Sequence, residues 1–551
     1  MIVPSPLPWV VFALVVSFYC TAYAPFGIDN NDTGFILGLS HQIFHGASLY
    51  GHVVYVRPPV SPILHAFVFF RPFSLAPVLV DRLFVFLQLA LSSALSALIA
   101  RRVFSWTGGV AAMAATASFV LSAHVFPPMA WHTIDGIFFS VLALYFMEAG
   151  LNKNRALLAP AALCGVLAAG SKQPFLLVPA MLLLLVAVRG RRWLPVVIYA
   201  LSLAGSALLF FLVLGRFASV GMFWTAISAQ TTGTDLLYAG FGNYLRSLLH
   251  EDYRLSAWPL LALLPLALLR GERGGVLPAA GLVAAVGMLL GGLARFYLAA
   301  SDSYQPLELF NSLFVASLLG SLIMLARTRA ESWLLVAAMH GIAWCASISW
   351  GYLTPVLYSA PTVIAVAAAL EPWCRRSAAL RLASLALLPA TLAIFWIGHG
   401  LFYSLEGPVR RSSITAEMGR VSPALRGIRG TPEQYGLYSE LMRTVGRLDG
   451  HPWVVLPDVT FAHLVSGTPN PLGIDWALNT EVGPYRQAVA ARLDSAVDYA
   501  IVYHNASPRP DLQGKFGSEA TMRVLRCWRL LESGGDFSLY ANPARVAGND
   551  D

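Results

Sequence analysis

The sequence predicts a polytopic α-helical membrane protein of about thirteen transmembrane helices, with a small C-terminal α/β domain on its outer face. Three observations predict it. The 551 residues are 57% hydrophobic and only 12% charged, whereas an ordinary soluble chain has about 25% charged residues. The charges gather between apolar runs long enough for the roughly 20 residues that a bilayer span requires. Such runs fill the chain from Trp9 to about Tyr403, and almost none follow.

Basic clusters order the spans. They are Arg101-Arg102, Lys153 with Arg155, Arg189 with Arg191 and Arg192, Arg270 with Arg273, Arg327 with Arg329, and Arg375-Arg376 with Arg381. Each lies between two apolar runs, and Lys and Arg favour cytoplasmic loops. Each therefore reads as a cytoplasmic turn, with two spans and one outer loop before the next. The N-terminus is then cytoplasmic and the tail extracytoplasmic. Headgroup preference accounts for these clusters, so the net charge of +8 calls for no nucleic-acid partner. The first apolar run lacks a basic start and precedes many others, so it reads as helix one and not as a signal peptide. Cys20, Cys164, Cys345, Cys374 and Cys527 are scattered and give neither a disulfide framework nor a zinc ribbon.

The expected division is a membrane domain over residues 1–403 and an outer α/β domain over 404–551. In the tail, WVVLP (Trp453–Pro457), YAIVYH (Tyr499–His504) and FSLYA (Phe537–Ala541) read as short strands. Pro432–Leu448 and Pro484–Ser495 have helical spacing. The first outer loop, about 27–77, is long and is broken by Pro58-Pro59 and Pro62. Short half-buried helices lying along the membrane surface suit that pattern. A third outer segment, RFYLAASDSYQPLE, contains Tyr304. Long loops without structure of their own are usually functional or disordered, so Tyr304 is a candidate substrate-lining residue.

The first outer loop reads IDNNDTGFILGLSHQIFHGASLYGHVVYVRPPVSP, with Asp29 and Asp32 directly after helix one. An acid just outside a span can serve as a general base toward a substrate held by lipid. Equally, Asp at such a place caps a helix. His41 and His45 share one helical face, but a catalytic zinc takes three protein ligands and no third is fixed here. No metal ligand and no cofactor is assigned, and a divalent metal is left open.

This loop resembles the first outer loop of the GT-C glycosyltransferases, in the branch of the protein O-mannosyltransferases and the lipid A aminoarabinose transferases. Members show an Asp-Glu pair after helix one, an amphipathic helix, a Gly, then a Tyr and a Pro-Pro. Asp32 matches the acid by its spacing to Gly46, Tyr50 and Pro58-Pro59, and Thr33 stands where the Glu usually is. Asp29 remains an alternative to Asp32. WHTIDGIFFSVLALYF puts Asp135 at the outer entrance of the fourth span, where the family has a second acid. CGVLAAGSKQPFLLVPAMLLLL puts Lys172 where the family has a basic residue facing the carrier phosphate. A lysine there can also snorkel to headgroups. VVLPDVTFAHLVSGTPNPLGIDW is similar to the strand and loop of the family's soluble domain, with Asn470, Pro471, Asp475 and Trp476 toward the membrane site or in plain turn roles. The resemblance covers about the first two hundred residues in motif and the later spans in topology alone.

The resemblance implies transfer of a sugar from a polyprenyl-phosphate donor to a hydroxyl of a glycan, lipid or protein, at the outer face of a bacterial inner membrane. It implies Asp32 as base, with Asp29 the alternative, and Asp135 orienting base or acceptor. Lys172 and Arg57 would hold the donor phosphate. Tyr50, Tyr304, Asn470 and Asp475 would line the substrates. One base opposite the leaving group would invert the anomeric centre. The rival is a transporter or flippase of a lipid-linked sugar. Such proteins usually carry inverted repeats and midplane sites, and no repeat is visible in this chain.

Overall fold

Long apolar segments form helices, some with a proline inside, as Pro372 in Ala360–Arg376 and Pro389 in Ala378–Gly398. The computed structural model describes residues 6–28, 32–190, 192–228, 254–270, 276–298, 309–348, 357–398, 403, 409, 411–504 and 517–546. Helix α1 (Leu7–Ala22) carries Pro8 in its first turn, where the missing N–H costs nothing. Then come α2 (Asp32–Phe44), α3 (Val60–His65), α4 (Pro77–Val103), α5 (Gly108–Val125), α6 (His132–Asn152), α7 (Leu158–Ala169), α8 (Leu177–Arg189) and α9 (Trp193–Leu214). Later helices include Leu277–Leu298, Leu309–Thr328, Glu331–Ser347, Ala360–Arg376 and Ala378–Gly398.

The chain is a mostly helical, multi-pass membrane protein with a small C-terminal sheet. Among the described residues, seven helices are long and apolar enough to cross a membrane, against about thirteen expected from the basic clusters. Leu7–Ala22, Val60–Phe69, Arg155–Ala169, Gln173–Arg189 and Pro259–Leu269 are apolar but shorter. Small polar residues lock the bundle together. Ser122 Oγ lies 2.8 Å from Ser359 Oγ, which in turn donates to the Ser118 carbonyl at 2.8 Å. Such side chains let helices approach closely and pair across the interface.

Two sheets form in the tail. Strands β1 (Ala416–Glu417) and β2 (Arg429–Gly430) make an antiparallel pair. Strands β3 (Trp453–Leu456), β4 (Tyr499–Tyr503), β5 (Arg529–Gly534) and β6 (Phe537–Ala541) make a sheet of order β3-β4-β6-β5. The β3–β4 pair is parallel and the others antiparallel. The helix Pro432–Gly446 starts with a capping box between Thr431 and Gln434, which satisfies two of its orphan backbone donors.

The tail is docked onto the segment that follows α1. Gly27 N–H donates to the Arg429 carbonyl at 2.9 Å, and Arg429 N–H donates back to Pro25 at 2.7 Å. Val54 N–H donates to the Gly473 carbonyl at 3.0 Å. Gly473 has φ +77°, and a Cβ there would lie 1.9 Å from the His52 carbonyl oxygen, so only glycine allows this approach. A Cβ on Gly34 would lie 2.5 Å from Thr460 Oγ1, which shows how closely α2 meets the tail. This docking corrects one expectation. Helix α2 is not half wet, because Thr33 to Ser40 are all buried. The tail covers one side of α2, and α3 with the turn Ala66–Phe69 covers another.

Candidate active site

Lys172 follows α7 and stands immediately before the short turn Gln173–Leu176. Two hydrogen bonds bring the segment before α3 to it. Val60 N–H donates to the Gly170 carbonyl at 2.8 Å, and Gln173 Nε2 donates to the Val56 carbonyl at 3.0 Å. They pin the intervening Arg57-Pro58-Pro59 beside Lys172. Lys172 Nζ donates to Thr133 Oγ1 in the first turn of α6 at 3.1 Å, and the residue is buried. Burial first, and the nearby Arg57 charge second, push its pKa down to about 7.

Arg57 is also buried, and its guanidinium makes two bonds to Glu481, at 2.5 and 2.8 Å. Burial opposes its charge, but Glu481 more than restores it, with the Asp32 carboxylate adding to the effect. Asp32, the first residue of α2, is half-buried. Asp29 and Tyr304 lie outside the described residues.

Phe35 stands at the centre of this region. Its ring lies 5.1 Å from that of Trp476, 6.1 Å from those of Tyr55 and Trp131, and 5.8 Å from the Arg57 guanidinium. Trp131 in turn packs on His132 at 4.5 Å, and the charges of Arg57 and Lys172 both act on His132. Tyr55 OH, Trp131 Nε1, His132 Nδ1 and Trp476 Nε1 are buried polar atoms with no hydrogen-bond partner among the described residues. Buried polar groups are normally paired. Three of these atoms belong to rings packed on Phe35 and the fourth to His132, which packs on Trp131, beside Lys172 and Arg57.

The remaining sequence candidates have structural partners. Asp135 is fully buried at the start of α6. It accepts from Gln88 Nε2 at 2.8 Å and meets His65 Nε2 at 3.2 Å. His65 Nδ1 reaches Asp81 at 2.5 Å. Burial works against a charged His65, but Asp135 and Asp81 outweigh it and hold its pKa up at about 10. Tyr50 has φ 62° and donates its hydroxyl to the Arg57 carbonyl at 2.7 Å, so it braces the backbone that carries Arg57. Asn470 donates to Asp475 Oδ1 at 2.8 Å and accepts the Leu472 N–H at 2.8 Å, which is turn chemistry. Asp475 also pairs with His463, and its Oδ2 is buried without a partner among the described residues. His41 and His45 have rings 4.3 Å apart. Among the described residues no group of three His, Cys, Asp or Glu could hold a metal ion.

Sequence reasoning missed Glu481, His65, Tyr55, Trp131 and His132. His65 did carry a signal, since an ionisable residue in an apolar run is a functional hypothesis by default. Glu481 carried none, being one acid in a tail segment without periodic pattern.

No family model matches the chain, and no curated protein sequence matches it. Solved structures are similar to it in fold. One is ArnT from Cupriavidus metallidurans in the apo state, with TM-score 0.44 and 15% identity over 98% of each chain. Another is the Archaeoglobus fulgidus oligosaccharyltransferase, solved with zinc and sulfate, with TM-score 0.48 and 14% identity over 90% of this chain and 68% of that one. A third is the arabinofuranosyltransferase AftD from Mycobacteria, with TM-score 0.40 and 12% identity over 98% of this chain. This chain spans 42% of AftD's length. The likenesses are remote in sequence, and the functional reading rests on this chain's own side chains.

Proposed function

We propose that the chain is a membrane glycosyltransferase that moves a sugar from a polyprenyl-phosphate donor to a hydroxyl of a glycan, lipid or protein on the outer face of the membrane. The observation that carries the reading is the meeting of Lys172 and Arg57 beside the unpartnered polar atoms around Phe35. A buried lysine with a pKa near 7 takes up a proton when a dianionic or monoanionic phosphate arrives, because an opposite charge restores the ammonium. Arginine pairs two oxygens at once and lysine supplies a point charge. Trp131, Trp476 and Phe35 offer flat faces to a sugar ring. Tyr55, His132 and the two indole N–H groups offer partners to its hydroxyls.

In the reaction, the acceptor oxygen attacks the anomeric carbon as its proton passes to the Asp32 carboxylate. The bond between that carbon and the polyprenyl-phosphate oxygen breaks, and its electron pair leaves with the phosphate. Lys172 and Arg57 meet the charge that grows there, which is where preorganised cations lower a barrier most. Attack from the side opposite the leaving group inverts the centre.

The test is a transfer assay with the purified full chain in liposomes, supplied with short-chain polyprenyl-phosphate sugars and simple acceptors. Release of the carrier phosphate together with a new glycoside supports the reading. Movement of intact lipid-linked sugar between leaflets, with no glycoside formed, supports a flippase instead. Lys172→Ala should cost about 2–5 kcal/mol in transfer, and unchanged turnover in that variant would remove Lys172 from the site.

A further inference from the structure

At the far end of the bundle from Lys172, the ends of α4 and α6 and the turn before α5 enclose a hollow of about 370 Å³. The separation is roughly 25 Å along α6, from Asp135 to Asn152 at about 1.5 Å per residue. Arg101, Arg102, Trp106, Tyr145, Glu148 and Lys153 line it. We propose that this hollow binds the phosphodiester headgroup of an anionic phospholipid.

The charge balance argues for an anion. Glu148 is buried and already engaged, by Arg189 and by Asn152 Nδ2 at 2.8 Å. Arg102 reaches it at 3.9 Å. Arg101 and Lys153 have no acidic partner among the described residues, so the hollow holds two uncompensated cations. The last-turn carbonyls of α4 and α6 repel an anion, so the ligand is held by side chains and not by backbone.

The surroundings argue for a lipid over a free ion. Trp106 is buried and Tyr145 half-buried, and such rings mark headgroup level. The turn that carries Trp106 is built, since its N–H donates to the Arg101 carbonyl at 2.9 Å and Thr107 caps α5. Leu98 lines the hollow, and Leu91 and Leu87 continue from it along the same face of α4. Leu87 and Leu91 are exposed in the protein. They give an acyl chain an apolar track that leads away from the headgroup, and inorganic phosphate has no use for it. Basic pockets between transmembrane helices are known to take lipid headgroups.

Native mass spectrometry of the full chain in mild detergent tests this, with phosphatidylglycerol, phosphatidylethanolamine and inorganic phosphate as probes. One phosphatidylglycerol should stay bound where phosphatidylethanolamine does not, and inorganic phosphate should not displace it. Arg101→Gln with Lys153→Gln should weaken retention about 25-fold, at about five-fold for each surface cation. Each single substitution should give about five-fold if the pair does not fold. Arg375→Gln with Arg376→Gln, at another basic helix end, should leave retention unchanged. The proposal is overturned if the Arg101/Lys153 pair retains the lipid at wild-type strength, if the Arg375/Arg376 pair loses it equally, or if inorganic phosphate competes at equal concentration.

Discussion

Arg57 and Glu481 stand 424 residues apart in sequence and share two hydrogen bonds in the fold. The pair joins the segment before α3 to the tail beside the candidate phosphate site. Buried ion pairs are strongly destabilising when one partner is removed, by about 3–5 kcal/mol, yet are often replaceable by apolar residues at little cost. Glu481→Gln and Arg57→Ala should therefore each lower stability by about that much. Arg57→Met combined with Glu481→Leu should recover most of it without recovering transfer. Denaturation of the detergent-solubilised protein, followed by tail fluorescence, separates these outcomes. Additive losses in the double variant would mean that the two side chains act independently.

Lys172 sets stability against function. Its pKa is pushed from the usual 10.5 down to about 7, so between those values the unfolded chain binds more protons than the folded one. Stability then rises with pH across that window. Lys172→Met should abolish this slope and raise stability at pH 7 by roughly 4 kcal/mol, while donor binding disappears. The measurement is thermal unfolding against pH, paired with lipid-donor binding. A Lys172→Met protein less stable than wild type at pH 7 would contradict the assigned burial cost.

Asp32→Asn keeps the shape of the side chain at the first residue of α2 and removes the proton acceptor. Donor binding should survive while turnover falls by roughly 10²–10⁴-fold. Asp29→Asn should be mild. Single-turnover transfer with saturating donor measures both. If Asp29→Asn is the inactive variant and Asp32→Asn is active, the base is Asp29. Full activity in both would end the case for this loop as the catalytic element.

His65 gives an opposite pH signature. Its folded pKa of about 10 exceeds the unfolded value of about 6.5. Its contribution is therefore complete below pH 6.5, shrinks as pH rises, and is gone above about 10. The stability gap between wild type and His65→Gln should narrow steadily across that window. A gap that stays constant from pH 6 to pH 10, by the same unfolding assay, would show that His65 is not held charged by Asp81 and Asp135.

Much of this architecture was legible in the sequence, and the exceptions have physical causes. β3, β4 and β6 match the β-rich segments read from residues 453–457, 499–504 and 537–541, because their side chains are buried and apolar. β5 was not legible. All six of its residues are exposed, and it owes its order to pairing with β6, not to its own composition. Lys172 could be found because a lysine between two apolar runs is conspicuous. Asp135 was found too, but only the fold shows that Gln88 and His65 hold it. Glu481 needed the fold, since its meaning comes from Arg57 and nothing near it in sequence points there. The half-wet character expected for α2 failed for a related reason, because a local pattern cannot show that a distant segment will cover the helix.

The docking of Gly473 against Val54 and His52 also constrains how the chain threads the bilayer. If both segments lie outside a bilayer, they lie on one side of it, and the intervening chain then crosses an even number of times. Every crossing helix between them is thereby counted in pairs, whichever way the N-terminus points. Deleting a single such helix would deliver residues 411–546 to the wrong compartment, with each helix intact but no partner for the first outer loop. Deleting two neighbours could leave that meeting possible.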